Sequence, residues 1–163
     1  MPGPNPFHLS KCFSQLINRK VTFVQTGQAL DGKIRQVYGI YNLSPIESAI
    51  VVKADLQLLG SIAGALVGLP DAVVKEHLKI SPLEELLRDA ISEVFNVASA
   101  SVTAEGRAVF SKFVTESILI DGVAGKVFKE PFHRNYFTVA VEDYQGGRFS
   151  VFSPFVPTKA LTR

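Results

Sequence analysis

Residues 81–101, SPLEELLRDAISEVFNVASAS, form the most clearly marked helical segment of this sequence. Ser81, Pro82 and Glu84 match a capping box with proline at the first helical position, which predicts that the helix begins at Ser81. Apolar residues then recur at intervals of three and four, so one face of the helix is expected to be buried as far as about Ser101. These residues are Leu83, Leu86, Leu87, Ala90, Ile91, Val94, Val97 and Ala98.

The other face of this helix carries a polar stripe, which consists of Asp89, Glu93 and Asn96. Because each residue turns a straight helix by about 100°, Glu93 lies about 40° to one side of Asp89 and Asn96 about 20° to the other. Ser92 borders the stripe, and Glu85 continues it one turn earlier. Such stripes are usually the solvated side of an amphipathic helix. Asn96 is nevertheless a mediocre helix former, so packing, a kink or a functional site would each explain its interior position.

The sequence before this segment has the patterns of a helix, three strands and a second helix. The predicted elements are a helix over Pro6–Asn18, strands over Val21–Gln25, Ile34–Tyr41 and Ser48–Lys53, and a helix over Asp55–Val67. Turns are expected at Gly27, Asp31–Gly32 and Asn42–Pro45. Asp55 is expected to cap the second helix. Glycines at every fourth position, Gly60, Gly64 and Gly68, are expected to let another backbone approach that helix closely.

After Gly106 the pattern changes to that of β-strands. The predicted strands are Ala108–Val114, Ser117–Ile120, Tyr136–Glu142 and Arg148–Phe152. The last two flank a turn ending in two glycines, which predicts a β-hairpin. One domain is expected over residues 1–153, with a loose tail over residues 154–163. The order of elements indicates an α+β fold, in which two central helices pack on an antiparallel or mixed sheet.

The composition excludes several classes of function. Hydrophobic residues make up 47% of the 163 residues and charged residues 20%, as in soluble globular domains. The net charge is +2, Trp is absent and no dense run of Lys and Arg occurs, so a nucleic-acid partner is not indicated. Cys12 is the only cysteine and lies in an apolar helical pattern, where a buried, inert thiol is expected. The three histidines, His8, His77 and His133, lack metal-ligand spacing, so no metal site is expected.

Two further features bear on the compartment. The first residues, MPGPNPFHLSK, lack the basic region and apolar run of a signal peptide. The most apolar stretch, Ala49–Pro70, contains Lys53, Asp55 and Gln57 in its first half, which leaves too short a clean segment to span a bilayer. We therefore expect a cytoplasmic protein without membrane insertion.

The polar stripe resembles the motif of the CheC/CheX/FliY family of chemotaxis phosphatases. That motif is an Asp or Ser, three residues, Glu, two residues and Asn, and here it is Asp89-Ala-Ile-Ser-Glu93-Val-Phe-Asn96. The order of a strand, an apolar helix, a connector, the motif helix and further strands is similar to that of the family over residues 7–153. One motif copy in a chain of this length is closer to CheX than to the two-copy CheC. The resemblance thus implies a single CheX-like domain, and a homodimer, since CheX-like proteins are commonly homodimers.

The family removes phosphate from the aspartyl phosphate of a CheY-like response regulator. The resemblance implies that Asn96 orients the attacking water through its carboxamide and that Glu93 contacts the active-site lysine of the regulator. It gives Asp89, and Ser92 within the motif, a supporting role. The Mg²⁺ would belong to the regulator's receiver domain, so no cofactor of this chain's own is implied. Such positioning suits phosphoryl transfer, in which geometry and charge neutralisation supply most of the catalysis.

The chain departs from the family pattern at two places. Phe95 fills the position before the Asn, where the family often has glycine, and a bulky side chain there is expected to narrow the approach to Asn96. Ile118 and Leu119 occupy the region in which the family has a proline. A non-catalytic adaptor of the same fold is therefore a second hypothesis. Such an adaptor would bind a response regulator or a flagellar-switch component through the same helix.

Overall fold

A computed structural model describes residues 3–27 and 34–157, and five helices and six strands lie within these ranges. In chain order they are α1 (Pro6–Ile17), β1 (Val21–Thr26), β2 (Gln36–Ser44), β3 (Ser48–Asp55), α2 (Leu56–Leu66), α3 (Asp71–Leu78), α4 (Glu85–Val97), β4 (Arg107–Val114), α5 (Gly122–Lys129), β5 (His133–Val141) and β6 (Gly147–Ser153). One short 3₁₀ turn, Ala98–Ala100, comes after α4, and another, Ser117–Leu119, comes after β4.

The six strands form one sheet in the order β1-β5-β6-β3-β2-β4, and every neighbouring pair is antiparallel. Strands β1 and β4 are its edges. The predicted α+β class is confirmed, as is the hairpin of β5 and β6. A register shift between Ile40 and Tyr41 marks an irregularity where β2 pairs with β4.

Helices cover both faces of this sheet. Helices α1, α2 and α4 lie on one face, where their apolar residues and the inward residues of the strands form the main core. Its largest fully buried side chains include Phe13, Leu59, Ile62, Leu87 and Ile91. Helix α5 lies on the opposite face, where Phe128 contacts Tyr38 and Phe152 edge to face. The two predicted central helices therefore pack on the sheet as expected, and α5 adds a third layer.

Helix α3 packs against the glycines of α2. The sequence patterns did not predict this helix. A Cβ on Gly60 would lie 2.7 Å from Leu78 Cδ2, and one on Gly64 would overlap Val74 Cγ2. Tight packing is thus found at these two positions, but the groups that approach the glycines are side chains of α3 instead of its backbone. Gly68 has φ +81°, and no atom of the described residues lies within 4 Å of a built Cβ, so it ends the helix rather than packing against a neighbour.

The capping box predicted at Ser81 is wrong, because α4 begins at Glu85. Glu84 is the extended residue before the helix, and no side-chain hydrogen bond caps it. Its carboxylate lies 3.0 Å from His77 Nδ1. In a capping box it would instead bond to the backbone N–H of the N-cap residue. Leu83, which is 6% exposed, is already anchored in the core before the helix begins. Tertiary packing therefore overrides the local capping signal. The last 3₁₀ turn ends at Ala100, close to the predicted end.

Three other local predictions differ from the structure. Ser117–Ile120 was expected to be a strand, but residues 117–119 form a 3₁₀ turn that leads into α5. Strand β2 continues through Asn42 to Ser44, so the turn lies at residues 45–47 instead of beginning at Asn42. Asp55 stands at the N-cap position of α2, but its side chain makes no capping bond because Gln36 and the Arg148 amide engage it instead.

Two predictions lie partly or wholly outside the described residues. The turn at Asp31–Gly32 lies wholly outside them, and the loose tail over residues 154–163 lies partly outside them. Of the tail, residues 154–157 are described: Val156 packs against the main core, and the ring of Phe155 lies 4.9 Å from that of Phe132.

Candidate functional site

Helix α4 is held in place by its apolar face. Its buried residues are Leu87, Ala90, Ile91, Val94 and Phe95. They pack against α2 and β4 as part of the main core. Because most of a helix's stability in a protein comes from such packing, the opposite face is presented on a rigid support.

The structure places the predicted polar stripe on that opposite face. Asp89, Glu93 and Asn96 are exposed, and Ser92 at the border of the stripe is half-buried. Within residues 3–27 and 34–157, none of the three exposed side chains has a hydrogen-bond or ion-pair partner. A carboxylate and a carboxamide three residues apart are therefore free to bind a partner molecule.

Phe95 does not face the approach to Asn96, contrary to the expectation from sequence. Its side chain is 1% exposed and lies against the sheet. The ring stacks on Phe110 with 5.7 Å between centroids and contacts Phe113 at 5.9 Å. Below it, a Cβ on Gly39 would lie 2.5 Å from the ring, so the absence of a side chain on Gly39 makes room for Phe95. A large residue before the Asn is thus accommodated inside the fold.

The C-terminal turn of α4 is contacted from two other elements. The Tyr41 hydroxyl donates a hydrogen bond of 2.7 Å to the Phe95 carbonyl. The Cys12 sulfur lies 3.8 Å from the Val97 carbonyl oxygen. Burial raises the pKa of Tyr41 well above its ordinary value, and it also raises the pKa of the half-buried Cys12. Both groups are therefore neutral near pH 7. For Cys12 this agrees with the expected inert thiol, because the thiolate is the reactive form.

A groove of about 550 Å³ opens beside the stripe, between α4 and the edge strand β4. Asp89 and Ser92 line it from α4, whereas Glu93 and Asn96 are not among its lining residues. Three cationic residues, Arg35, Arg88 and Lys112, also line it. Such a charge distribution favours an acidic partner surface. No local sequence pattern indicates this groove, because its walls come from segments far apart in the chain.

Two structural features that would indicate particular functions are absent from the described residues. Among the residues described, no group of three His, Cys, Asp or Glu side chains is arranged to hold a metal ion. No helix in the described ranges is both long and apolar enough to cross a membrane.

No protein-family model matches this chain, and no curated protein matches it by sequence. Solved structures do match. A chain of the FliG–FliM complex from H. pylori is 8% identical with a TM-score of 0.59, covering 96% of this chain and 90% of that chain. FliY from Thermotoga maritima is 13% identical with a TM-score of 0.54, covering 94% and 84%. The FliM middle domain from H. pylori is 11% identical with a TM-score of 0.53, covering 91% and 84%.

The chain has a FliY-like fold. The resemblance drawn from the motif helix is thereby confirmed at the level of the fold, which the FliM middle domain shares. Within this FliY-like fold the motif residues lie on α4. Asp89 lines the groove, and Asn96 lies at the C-terminal end of the helix.

Proposed function

We propose that this protein is a phosphatase that hydrolyses the aspartyl phosphate of a CheY-like response regulator. The observation that carries the proposal is the pair Glu93 and Asn96, which is exposed, has no side-chain partner among the described residues and lies on a helix whose other face is fixed in the core. The motif of residues 89–96 and the FliY-like fold support it independently.

In the proposed reaction a water oxygen attacks the phosphorus in line with the acyl phosphate bond. The new bond joins that oxygen to phosphorus, while the bond between phosphorus and the aspartyl oxygen breaks. The electron pair of the broken bond returns to the aspartate, and the proton of the water leaves with inorganic phosphate. Charge on the phosphoryl oxygens is neutralised by the Mg²⁺ and lysine of the regulator. What remains for the phosphatase is to position the water.

Asn96 suits that task because a carboxamide offers both an acceptor oxygen and an NH₂ donor. The oxygen would accept a hydrogen bond from the water and direct its lone pair at phosphorus. An amide does not titrate near neutral pH, so Asn96 orients the water without acting as a base. Glu93, one helical turn earlier, would accept a hydrogen bond from the regulator's lysine and fix the depth at which Asn96 enters. Asp89 and Ser92 would support docking from the border of the groove.

The proposal is tested with a CheY-like receiver domain from the source organism, phosphorylated by acetyl phosphate. The wild-type protein should accelerate phosphate loss. Asn96→Ala should lower kcat by about 100-fold or more, the effect of losing one positioned polar group, while leaving the affinity for the receiver largely intact. Glu93→Ala should mainly raise KM, by about 10- to 150-fold, since a hydrogen bond to a charged group contributes about 1.5–3 kcal/mol.

Matched controls are available on the same chain. Glu85→Ala removes another exposed carboxylate from α4, and Asn42→Ala removes an exposed carboxamide from β2. Both variants should retain wild-type kinetics. Asn96→Ala with wild-type kcat would remove Asn96 from the mechanism. Absence of any acceleration by the wild type would reject the phosphatase proposal.

A second candidate is a non-catalytic adaptor that binds a receiver domain or a flagellar-switch component through α4. The match to a chain of the FliG–FliM complex from H. pylori favours it, since its TM-score is 0.59 against 0.54 for FliY from Thermotoga maritima. Under this alternative the receiver, or a FliG-like protein, binds without loss of phosphate. Asn96→Ala would then weaken binding instead of slowing turnover.

A further inference from the structure

The residue proposed to orient water lies where a helix is least constrained by its own hydrogen bonds. The last four carbonyls of an α-helix have no assured partner within the helix. Helix α4 ends at Val97, so Asn96 and both its neighbours belong to this group, and of their three carbonyls that of Asn96 is reached by the Ala98 N–H. The last turn also lacks a basic side chain that would interact with these carbonyls.

Side chains from other elements engage the carbonyls on both sides of Asn96. Tyr41, from β2, donates a hydrogen bond of 2.7 Å to the carbonyl of Phe95. The Cys12 sulfur, from α1, lies 3.8 Å from the carbonyl of Val97. The turn that carries the exposed Asn96 is thus tied on its buried side to the sheet and to a second helix.

The Tyr41 contact is the stronger and more specific of the two. An O–H···O bond of this length is close to optimal, whereas a thiol is a weak donor. Tyr41 is fully buried, and its ring packs against those of Phe95 and Phe110, with centroids 6.5 Å and 5.5 Å away. Phe95 is therefore held both at its ring and at its carbonyl. Because burial raises the pKa of Tyr41 well above its ordinary value, the hydroxyl keeps its proton and continues to donate throughout the neutral range.

We propose that Tyr41 is a positioning residue for Asn96: its hydroxyl fixes the orientation in which the last turn of α4 presents the carboxamide. This inference rests on the proposed phosphatase function and adds a residue to it. A catalyst that works by orienting water is sensitive to small displacements, since a misplacement of about 1 Å can lower the rate by about 100-fold. Binding of the regulator depends on a wider surface and is much less sensitive to such a displacement.

The test compares Tyr41→Phe with Tyr38→Phe. Each variant keeps its ring and loses one hydroxyl from β2, and Tyr38 is also buried, but it packs against α5 on the other face of the sheet. Tyr41→Phe should lower kcat toward the phosphorylated receiver domain by about tenfold while KM stays within twofold, because only orientation is impaired. Tyr38→Phe should leave both parameters at wild-type values. Kinetics are measured at a temperature at which circular dichroism shows both variants folded.

A second measurement does not require activity. Hydrogen exchange of the amides of residues 96–101 should be faster in Tyr41→Phe than in Tyr38→Phe, while exchange in β3 stays equal in the two variants. Unchanged kcat in Tyr41→Phe, or equal exchange at residues 96–101 in both variants, would overturn the inference. If the wild type proves inactive, the phosphatase proposal fails. The exchange data then still decide whether Tyr41 orders the turn that carries Asn96.

Discussion

Gly39 and Phe95 form a complementary pair at the residue scale. A Cβ on Gly39 would lie 2.5 Å from two carbons of the Phe95 ring, which is itself confined by Phe110 and Phe113. Gly39→Ala should therefore lower the free energy of unfolding by about 2 kcal/mol, the usual cost of overpacking a core. Urea denaturation followed by circular dichroism measures this loss.

The control for this prediction is Gly27→Ala, because no atom of the described residues lies within 4 Å of a Cβ built on Gly27. That change should alter the free energy of unfolding by no more than about 0.5 kcal/mol. Combining Gly39→Ala with Phe95→Leu should cost less than the sum of the single changes, by at least about 0.5 kcal/mol. Additive losses would show that Phe95 is not the group with which the new methyl collides.

The same residues show what sequence reasoning can reach at this scale. The exposure of Asp89, Glu93 and Asn96 followed from helical periodicity, because the packing face and the solvent face of an amphipathic helix alternate with a fixed period. Helical periodicity did not predict that the Phe95 side chain points into the core, or that Tyr41 bonds to the Phe95 carbonyl. Both depend on contacts with β2, more than fifty residues earlier, and no local pattern records such contacts.

At the element scale, long and strongly periodic segments were predicted and short ones were not. Helices α1, α2 and α4 each have eleven or more residues, and their apolar faces give a clear period. Helices α3 and α5 have eight residues each. The first contains Val73 and Val74, and the second contains Gly122 and Gly125, all poor helix formers. Tertiary packing forms these two helices, as when Val74 seats on the glycine face of α2.

Packing and helix propensity make opposite predictions for Gly64 in α2. Propensity alone would make Gly64→Ala stabilising by about 1 kcal/mol. A Cβ there, however, overlaps Val74 Cγ2, and a valine in a helix is stiff at χ1. We expect the packing term to prevail, so that Gly64→Ala lowers the free energy of unfolding by about 1–2 kcal/mol in a urea titration.

Gly60→Ala serves as the matched comparison, since its Cβ would meet only the flexible end of Leu78. It should cost less than Gly64→Ala. Combining Gly64→Ala with Val74→Ala should cost less than the sum of the two single changes, because the deleted methyl groups leave room for the new Cβ. A stabilising Gly64→Ala would mean that α3 moves away at little cost, and that the glycines of α2 do not fix its position.

At the scale of the whole molecule, the sheet order was beyond the reach of the sequence. The β5–β6 hairpin was predictable because its strands adjoin a turn, whereas β1 pairs with β5 through partners as distant as Val21 and Val141. One buried residue links several of these distant segments. Asp55 is 1% exposed, accepts a hydrogen bond of 2.5 Å from Gln36 Nε2 at the start of β2, and accepts another of 2.8 Å from the Arg148 amide in β6.

Asp55 stands at the end of β3, directly before α2, so its carboxylate joins three central strands, β2, β3 and β6, next to the start of that helix. Asp55→Ala would leave the Arg148 N–H without its acceptor and the Gln36 amide with only the Ile34 carbonyl, and should lower the free energy of unfolding by about 3 kcal/mol. Asp55→Asn should cost less, since its carbonyl can still accept the Arg148 N–H. Arg148→Ala keeps that N–H and loses only a contact of 3.5 Å to the carboxylate, so about 1 kcal/mol or less is expected. Guanidinium unfolding curves would rank the three variants. If Arg148→Ala proved as costly as Asp55→Ala, the ion pair would hold the strands together, and the backbone hydrogen bond would not.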